Sequence, residues 1–203
     1  LEFAEKISKS GTQPIIGTQI NFKIHDTIGL LPMYSINEIG YINIIDLSSV
    51  SYLKNNELSD PYVTFDYLLN NSQGIALFSG TVFGLFGQLF DKGKFTEIHD
   101  LYNKIKSKFG DRFYIEIQRH KDLNENSFEK FNLKKSSDLE IPIIATNEVY
   151  YLDKDMYEAH DALICIGNKT YVNEKNRLKF SDQHYLKNNS EMSELFADLP
   201  EAL

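Results

Sequence analysis

Five short apolar runs constrain this chain more than any other feature. They cover residues 14–16, 30–34, 74–78, 113–117 and 141–145. Each is short enough for a buried strand, and segments with helical spacing separate all but the first two. Strands that alternate with helices predict a parallel sheet with right-handed crossovers. Five such strands suit an incomplete barrel or a doubly wound sheet. In both architectures the chemistry collects where strands end. Here the strand ends open onto Gly17-Thr18-Gln19, Ser79-Gly80-Thr81, Gln118-Arg119-His120 and Thr146-Asn147-Glu148-Val149-Tyr150.

The helices between the runs follow from spacing and caps. Residues 1–10 read as a helix with Phe3 and Ile7 on one face and Gly11 as its stop. Asn37 can cap a helix that places Ile39, Ile42, Ile45 and Leu47 near the core. A short helix is expected near 65–69. The segment 82–90, with Gly84 and Gly87, reads as a tightly packed helix; no Gly-Lys-Ser/Thr signature supports a phosphate loop. Phe95, Ile98, Leu101, Tyr102, Ile105 and Phe109 have clean helical spacing, with Lys106 and Lys108 in the last turn and Gly110 as the stop. A polar helix is expected around 126–134. Asp153 is expected to cap a helix with Tyr157, His160, Leu163 and Ile164 on one side. Asn188 and Glu191 form a capping box for a helix that buries Met192, Leu195, Phe196 and Leu199.

At 203 residues, with 42% hydrophobic and 25% charged residues, the chain has ordinary globular composition. One domain over 1–203 is the simplest organisation, with 168–203 as an extension toward whatever follows. The segment 168–189 reads as a long polar surface connection. Both ends have the look of cuts in a longer protein. The formal charge of −8 repels phosphate backbones, which argues against strong nucleic-acid binding by this stretch alone. The single cysteine, Cys165, excludes an internal disulfide and sits in an apolar run as a buried, inert thiol. No apolar stretch is long enough to span a bilayer, and no secretory signal opens the chain.

Individual polar residues mostly invite structural readings. His25-Asp26 falls in a loop with no third partner for a dyad. His99 lies on a polar helix face. His160 reads as a core histidine, and Asp161 as a solvent-facing or capping carboxylate. His184 lies in the polar connection and carries no visible chemistry. No nucleophile elbow, Cys-x-x-Cys or Walker pattern occurs.

The ordered series Gln13–Gly17, Leu77-Phe78-Ser79-Gly80, Tyr114-Ile115-Glu116-Ile117-Gln118-Arg119-His120, Ala145-Thr146-Asn147-Glu148-Val149-Tyr150-Tyr151-Leu152 and Glu158-Ala159-His160-Asp161 resembles a known family. So does the tail, Asn176-Arg177-Leu178-Lys179-Phe180-Ser181 followed by Met192-Ser193-Glu194-Leu195-Phe196. The resemblance is to the polymerase-and-histidinol-phosphatase (PHP) domains of bacterial DNA polymerase III alpha subunits. It implies an α/β fold, a distorted (β/α) barrel that is incomplete here. It also implies metal ligands at the strand ends, which in active members support phosphoester hydrolysis or 3′–5′ exonuclease activity.

This chain departs from the family pattern at most of those positions. Gln19 stands for a glutamate, Thr81 for a cysteine, Glu148 for an aspartate and Tyr150 for a histidine; His120 is retained. The family's first histidine motif is not in this sequence. Only His120 and Glu148 keep ligand chemistry, so no closed or catalytic metal site is expected, and no cofactor in this stretch. Zn²⁺ or Mn²⁺ enters only if the site survives. The resemblance further implies a parent DNA-directed DNA polymerase that uses Mg²⁺. Its implied partners are the rest of the alpha chain, DNA through the parent, and a proofreading exonuclease subunit. The implied location is the cytoplasm.

Overall fold

A computed structural model describes residues 2–53 and 60–203. By their own contacts these fall into two compact units. The first comprises Leu1–Ile115 with Lys135–Pro142. The second comprises Glu116–Lys134 with Ile143–Leu203.

The first unit opens with helix α1 (Glu2–Lys9), which buries no residue and ends at Gly11 with φ +85°. Leu1, placed in this helix by the sequence reading, lies outside the described residues. Strands β1 (Gly17–Ile24) and β2 (Thr27–Ser35) then form an antiparallel hairpin, paired from Gly17 with Tyr34 to Ile24 with Thr27. Two residues, His25 and Asp26, make the turn. His25 takes φ +49°, the left-handed geometry that matches the twist of paired strands.

This hairpin corrects two expectations. Residues 14–16 form no strand: Pro14 has no N–H, and Ile15 is 74% exposed. The strand begins instead at Gly17, so Gly17-Thr18-Gln19 lie within β1 and not in a loop after it. Its buried positions alternate as Ile20, Phe22 and Ile24, the period of a half-buried strand. The sheet is also mixed, not parallel. β1–β2 and β2–β4 run antiparallel, whereas β1–β3 and β4–β5 run parallel.

Helix α2 (Glu38–Leu53) starts where Asn37 Oδ1 accepts the Gly40 N–H at 2.9 Å. It docks through Gly40, Ile44, Leu47 and Ser51, not through the expected isoleucines. Ile39, Ile42 and Ile45 remain about half exposed. The reason is Gly40. A Cβ there would collide with the Gly74 carbonyl, so the helix lies close along its glycine face. Strand β3 (Val63–Thr64), helix α3 (Phe65–Asn70) and strand β4 (Ile75–Phe78) follow.

Helix α4 (Leu85–Asp91) is the expected tightly packed element, with Leu85, Phe86, Gly87 and Leu89 buried. A side chain at Gly87 would strike the Val82 carbonyl oxygen. Helix α5 (Phe95–Phe109) buries Ile98, Tyr102, Ile105 and Phe109 and stops at Gly110, φ +60°.

Strand β5 (Phe113–Ile117) and helix α6 (Glu125–Leu139) each contribute to both units. The strands up to β5 follow the hydrogen-bonded order β3-β1-β2-β4-β5, and strand β6 (Ile143–Ala145) belongs to the second unit. In the second unit, helix α7 (Tyr157–Asn168) starts three residues later than Asp153 suggested. Asp153 makes no capping bond, and a 3-10 turn intervenes. Helix α8 (Asn189–Leu195) carries the full capping box of Asn188 and Glu191. Beyond it Phe196 and Leu199 are buried, while Met192 and Leu195 are only partly so.

Candidate functional site

The second unit gathers polar side chains at the end of β5 and binds them into one network. Glu116 is buried and accepts from the Thr146 hydroxyl and from Gln118 Nε2, the latter at 3.1 Å. Thr146 N–H donates to the Ile117 carbonyl at 3.1 Å. These bonds fix the turn after β5 against the turn after β6. Arg119 is clamped by Glu129 (2.7 and 3.1 Å) and by Asp198 (2.6 and 3.0 Å), and it lies over the Phe196 ring.

His120 and Asp122 owe their places to Glu125. The Glu125 carboxylate accepts the N–H groups of His120 (2.8 Å) and Lys121 (2.7 Å), which folds the connection back on the start of α6. Lys121 and Asn124 take left-handed φ values of +65° and +64° to allow the fold-back. The His120 ring is then 1% exposed. Its Nε2 lies 3.1 Å from Asn147 Oδ1 and 3.2 Å from the Glu148 N–H. Its Nδ1 is 3.4 Å from Glu125 Oε1 and has no hydrogen-bond partner. Asn147 is itself pinned, donating to the Tyr185 carbonyl at 2.8 Å and accepting from Lys187 at 3.1 Å.

The surprise is His184. The segment 168–189 is not simply a surface connection, because Gln183 and His184 in it are buried. His184 stacks on His120 with ring centroids 4.1 Å apart and planes 3° from parallel. His184 Nδ1 lies 3.1 Å from the Glu148 carbonyl, which can only accept, so Nδ1 carries the proton. In the neutral ring Nε2 is then the nitrogen with the lone pair. It is buried, has no hydrogen-bond partner, and stands 3.4 Å from Asp122 Oδ2. His120, Asp122 and His184 each offer a ligand-type atom within 4.8 Å of the others. Nothing in the local sequence signalled this, since His184 is far from His120 along the chain and lacks a ligand-spacing motif.

Tyr150 extends the stack. Its ring lies 4.9 Å from His184 and 5.3 Å from His160. Burial, together with the neighbouring Glu148 carboxylate, pushes the Tyr150 phenol well above its ordinary pKa. The hydroxyl stays protonated at neutral pH and is a poor metal ligand. His160 is only partly buried and packs on Tyr150 and Tyr151. Asp161 corrects its expectation: it is buried and gripped by Arg177 through two bonds of 2.6 and 2.7 Å. The Arg177 guanidinium holds its carboxyl below the usual range. Cys165 is buried, as its apolar run suggested.

Of the five family positions, the second unit brings His120, Glu148 and Tyr150 together. Gln19 and Thr81 belong to the first unit. Gln19 is an exposed residue of β1, and the Thr81 hydroxyl accepts the Phe83 N–H at 3.1 Å in the turn before α4. An amide, a hydroxyl and a protonated phenol do not fit a multi-metal centre, which needs carboxylates, imidazoles or thiolates. The donor set at these positions therefore does not fit a metal cluster of the family kind. Among the described residues, no helix is long and apolar enough to cross a membrane.

Comparison with known proteins agrees with the ordered motifs. Residues 1–120 match the PHP domain family. The chain is 35% identical over its whole length to the DNA polymerase III subunit alpha of Caulobacter vibrioides, of which it covers 18%. It is 34% identical to that of Rickettsia bellii, covering 17%, and 33% identical to that of Borreliella burgdorferi, covering 19%. The chain thus spans less than a fifth of the curated relatives it matches. The mixed α/β sheet fits a barrel-like architecture of this type that is not closed here. On the family match and the relatives together, this chain belongs to the PHP domain family.

Proposed function

We propose that these 203 residues form the PHP module of a replicative DNA polymerase III alpha chain, one that keeps the fold as a scaffold and has lost the family's hydrolytic centre. The observation that carries this reading is the donor chemistry. Only His120 and Glu148 of the five family positions can serve as ligands, and Tyr150 is held protonated. Packing residues and site residues are largely separate sets, so a fold outlasts its site easily. The parent chain would polymerise DNA with Mg²⁺ in the cytoplasm. This module would brace the polymerase and dock a proofreading exonuclease subunit.

The experiment is hydrolysis of single-stranded DNA by the full-length chain, beside a pull-down with the proofreading subunit. The scaffold reading expects no 3′–5′ hydrolysis above that of His120→Ala, and capture of the subunit. Multiple-turnover hydrolysis that His120→Ala abolishes would sink it in favour of a residual phosphoesterase. Among the described residues, the cluster of His120, Asp122 and His184 is the observation that favours that second reading.

A further inference from the structure

We propose that the outer face of helix α2 docks a second, amphipathic helix with basic flanks, supplied by another part of the parent chain. The inference rests on the reading of this stretch as a module of an alpha chain, and it adds the face that does the bracing. Glu38, Ile42, Ile45, Ser49 and Tyr52 are all exposed, and they lie alternately four and three residues apart. That spacing draws one straight seam along a helix, the pattern that receives another helix lengthwise. Ile39 and Leu53, both exposed, widen the stripe along one side.

The helix is apolar on both sides, and the fold uses only one. Gly40, Ile44, Leu47 and Ser51 are buried as α2 packs against β1, β2 and β4. A helix that is apolar around most of its circumference is normally covered on more than one side. The polar side chains of α2 leave the seam ready to be covered. Ser49 Oγ donates to the Ile45 carbonyl at 2.8 Å, and Asn43 donates to the Gln73 carbonyl at 2.8 Å. Asp46 accepts the Tyr67 hydroxyl at 2.7 Å. A partner can therefore exclude water from the seam without stranding these groups, which is the usual cost of covering a surface. Gly40 already holds α2 close against Gly74, so the face is fixed before anything docks.

Charge chooses the occupant. α2 carries Glu38 and Asp46 and no lysine, arginine or histidine. A second copy of the same face would add two more acids and no cation. A helix with Lys or Arg beside its apolar stripe would answer both carboxylates. From Glu38 to Tyr52 the seam runs for about 21 Å, which calls for a partner of about four turns. At its N-terminal end a cavity of about 560 Å³ opens, lined in part by Ala4, Ile16, Ile36 and Tyr41, with room for large apolar anchors. Length chooses the source. The chain spans less than a fifth of its curated relatives, so most of an alpha chain is available to supply the helix. A tethered helix also docks at a high effective concentration, which a separate protein lacks.

The test places a photo-crosslinking residue in the purified full-length chain, Ile45→benzoylphenylalanine, and maps the product by mass spectrometry. The expected product is an intramolecular cross-link to a helix outside these 203 residues, with apolar residues three and four apart beside Lys or Arg. A second measurement covers the case in which the bulky probe displaces the helix. In the variant with Ile42→Glu and Ile45→Glu, both exposed positions, hydrogen exchange should speed up about tenfold or more in one helix outside this stretch, while the β1–β2 hairpin keeps its protection. Cross-links confined to this stretch or running to a second copy, with exchange outside the stretch unchanged in the variant, would overturn the proposal. Neither readout depends on hydrolysis of single-stranded DNA, so a failed dock and a failed scaffold reading are told apart.

Discussion

The two units bury different chemistry. In the first, the buried side chains are overwhelmingly apolar, from Phe22 and Leu31 in the hairpin to Phe86, Tyr102 and Phe113, and the buried polar residues are the small hydroxyls Thr27, Ser51 and Ser79. In the second, Glu116, His120, Asn132, Asp161, Gln183 and His184 are all buried, beside a shorter set of apolar residues that includes Ile117, Phe128 and Phe196. The first unit is held chiefly by the hydrophobic effect, which is non-directional and insensitive to pH. The second depends on hydrogen bonds and ion pairs, which are directional and which protons can break.

The largest expected effect tests the apolar side. Phe86 is fully buried in α4 and packs edge-on against Tyr102 at 4.7 Å. Phe86→Ala should destabilise by about 3–5 kcal/mol. Urea denaturation followed through first-unit probes should give the same loss at neutral pH and in mild acid. A loss that changed with pH would break the contrast. A smaller effect comes from Gly87→Ala. The new Cβ meets the Val82 carbonyl oxygen, a backbone atom that cannot swing away, so overpacking of about 1–3 kcal/mol is expected from the same measurement.

The same contrast explains what the sequence could show. Apolar spacing revealed α5, α4 and β4 because their burial is periodic and local. The β1 strand carries an alternating signal in Ile20, Phe22 and Ile24, but the run at 14–16 is more continuous and mimics a buried strand. Its turn was hidden because His25 adopts a conformation usually signalled by glycine or asparagine. The face of α2 was misread because glycine, not isoleucine, decides the close approach. In the second unit, the motif residues His120, Glu148 and Tyr150 are legible, whereas the burial of His184 and Asp161 is not. Asp161 is buried by its ion pair with Arg177 and His184 by its stack on His120, and no local pattern encodes such a partner.

Acid should find the polar side first. Arg177 lowers the Asp161 carboxyl pKa, and Arg119 lowers that of Asp198. A carboxyl whose folded pKa lies below its unfolded value, near 4, adds stability above that value and loses it as pH falls through the folded pKa. Hydrogen exchange, corrected for intrinsic rates, should therefore show α7 losing protection below about pH 4 while α5 keeps it. Asp161→Asn should weaken α7 at neutral pH and flatten its acid response. Equal loss in the two helices would remove the distinction between the units.

The smallest effect sharpens the comparison, because it concerns a polar device that was legible. Asn188 Oδ1 accepts the Glu191 N–H at 3.0 Å, and the Glu191 carboxylate accepts the Asn188 N–H at 2.8 Å. Both bonds span three residues, so the pattern can be read from sequence alone, unlike the stacking of His184 on His120. They are also exposed to solvent, where water competes for the same groups. Asn188→Ala should cost about 1 kcal/mol in thermal or urea denaturation. Because α8 ends beside the Arg119 clamp at Leu195 and Asp198, a loss several times larger would mean that the cap also holds the clamp in place. The clamp would then answer to a local signal, and the polar unit would be less non-local than His184 and Asp161 make it.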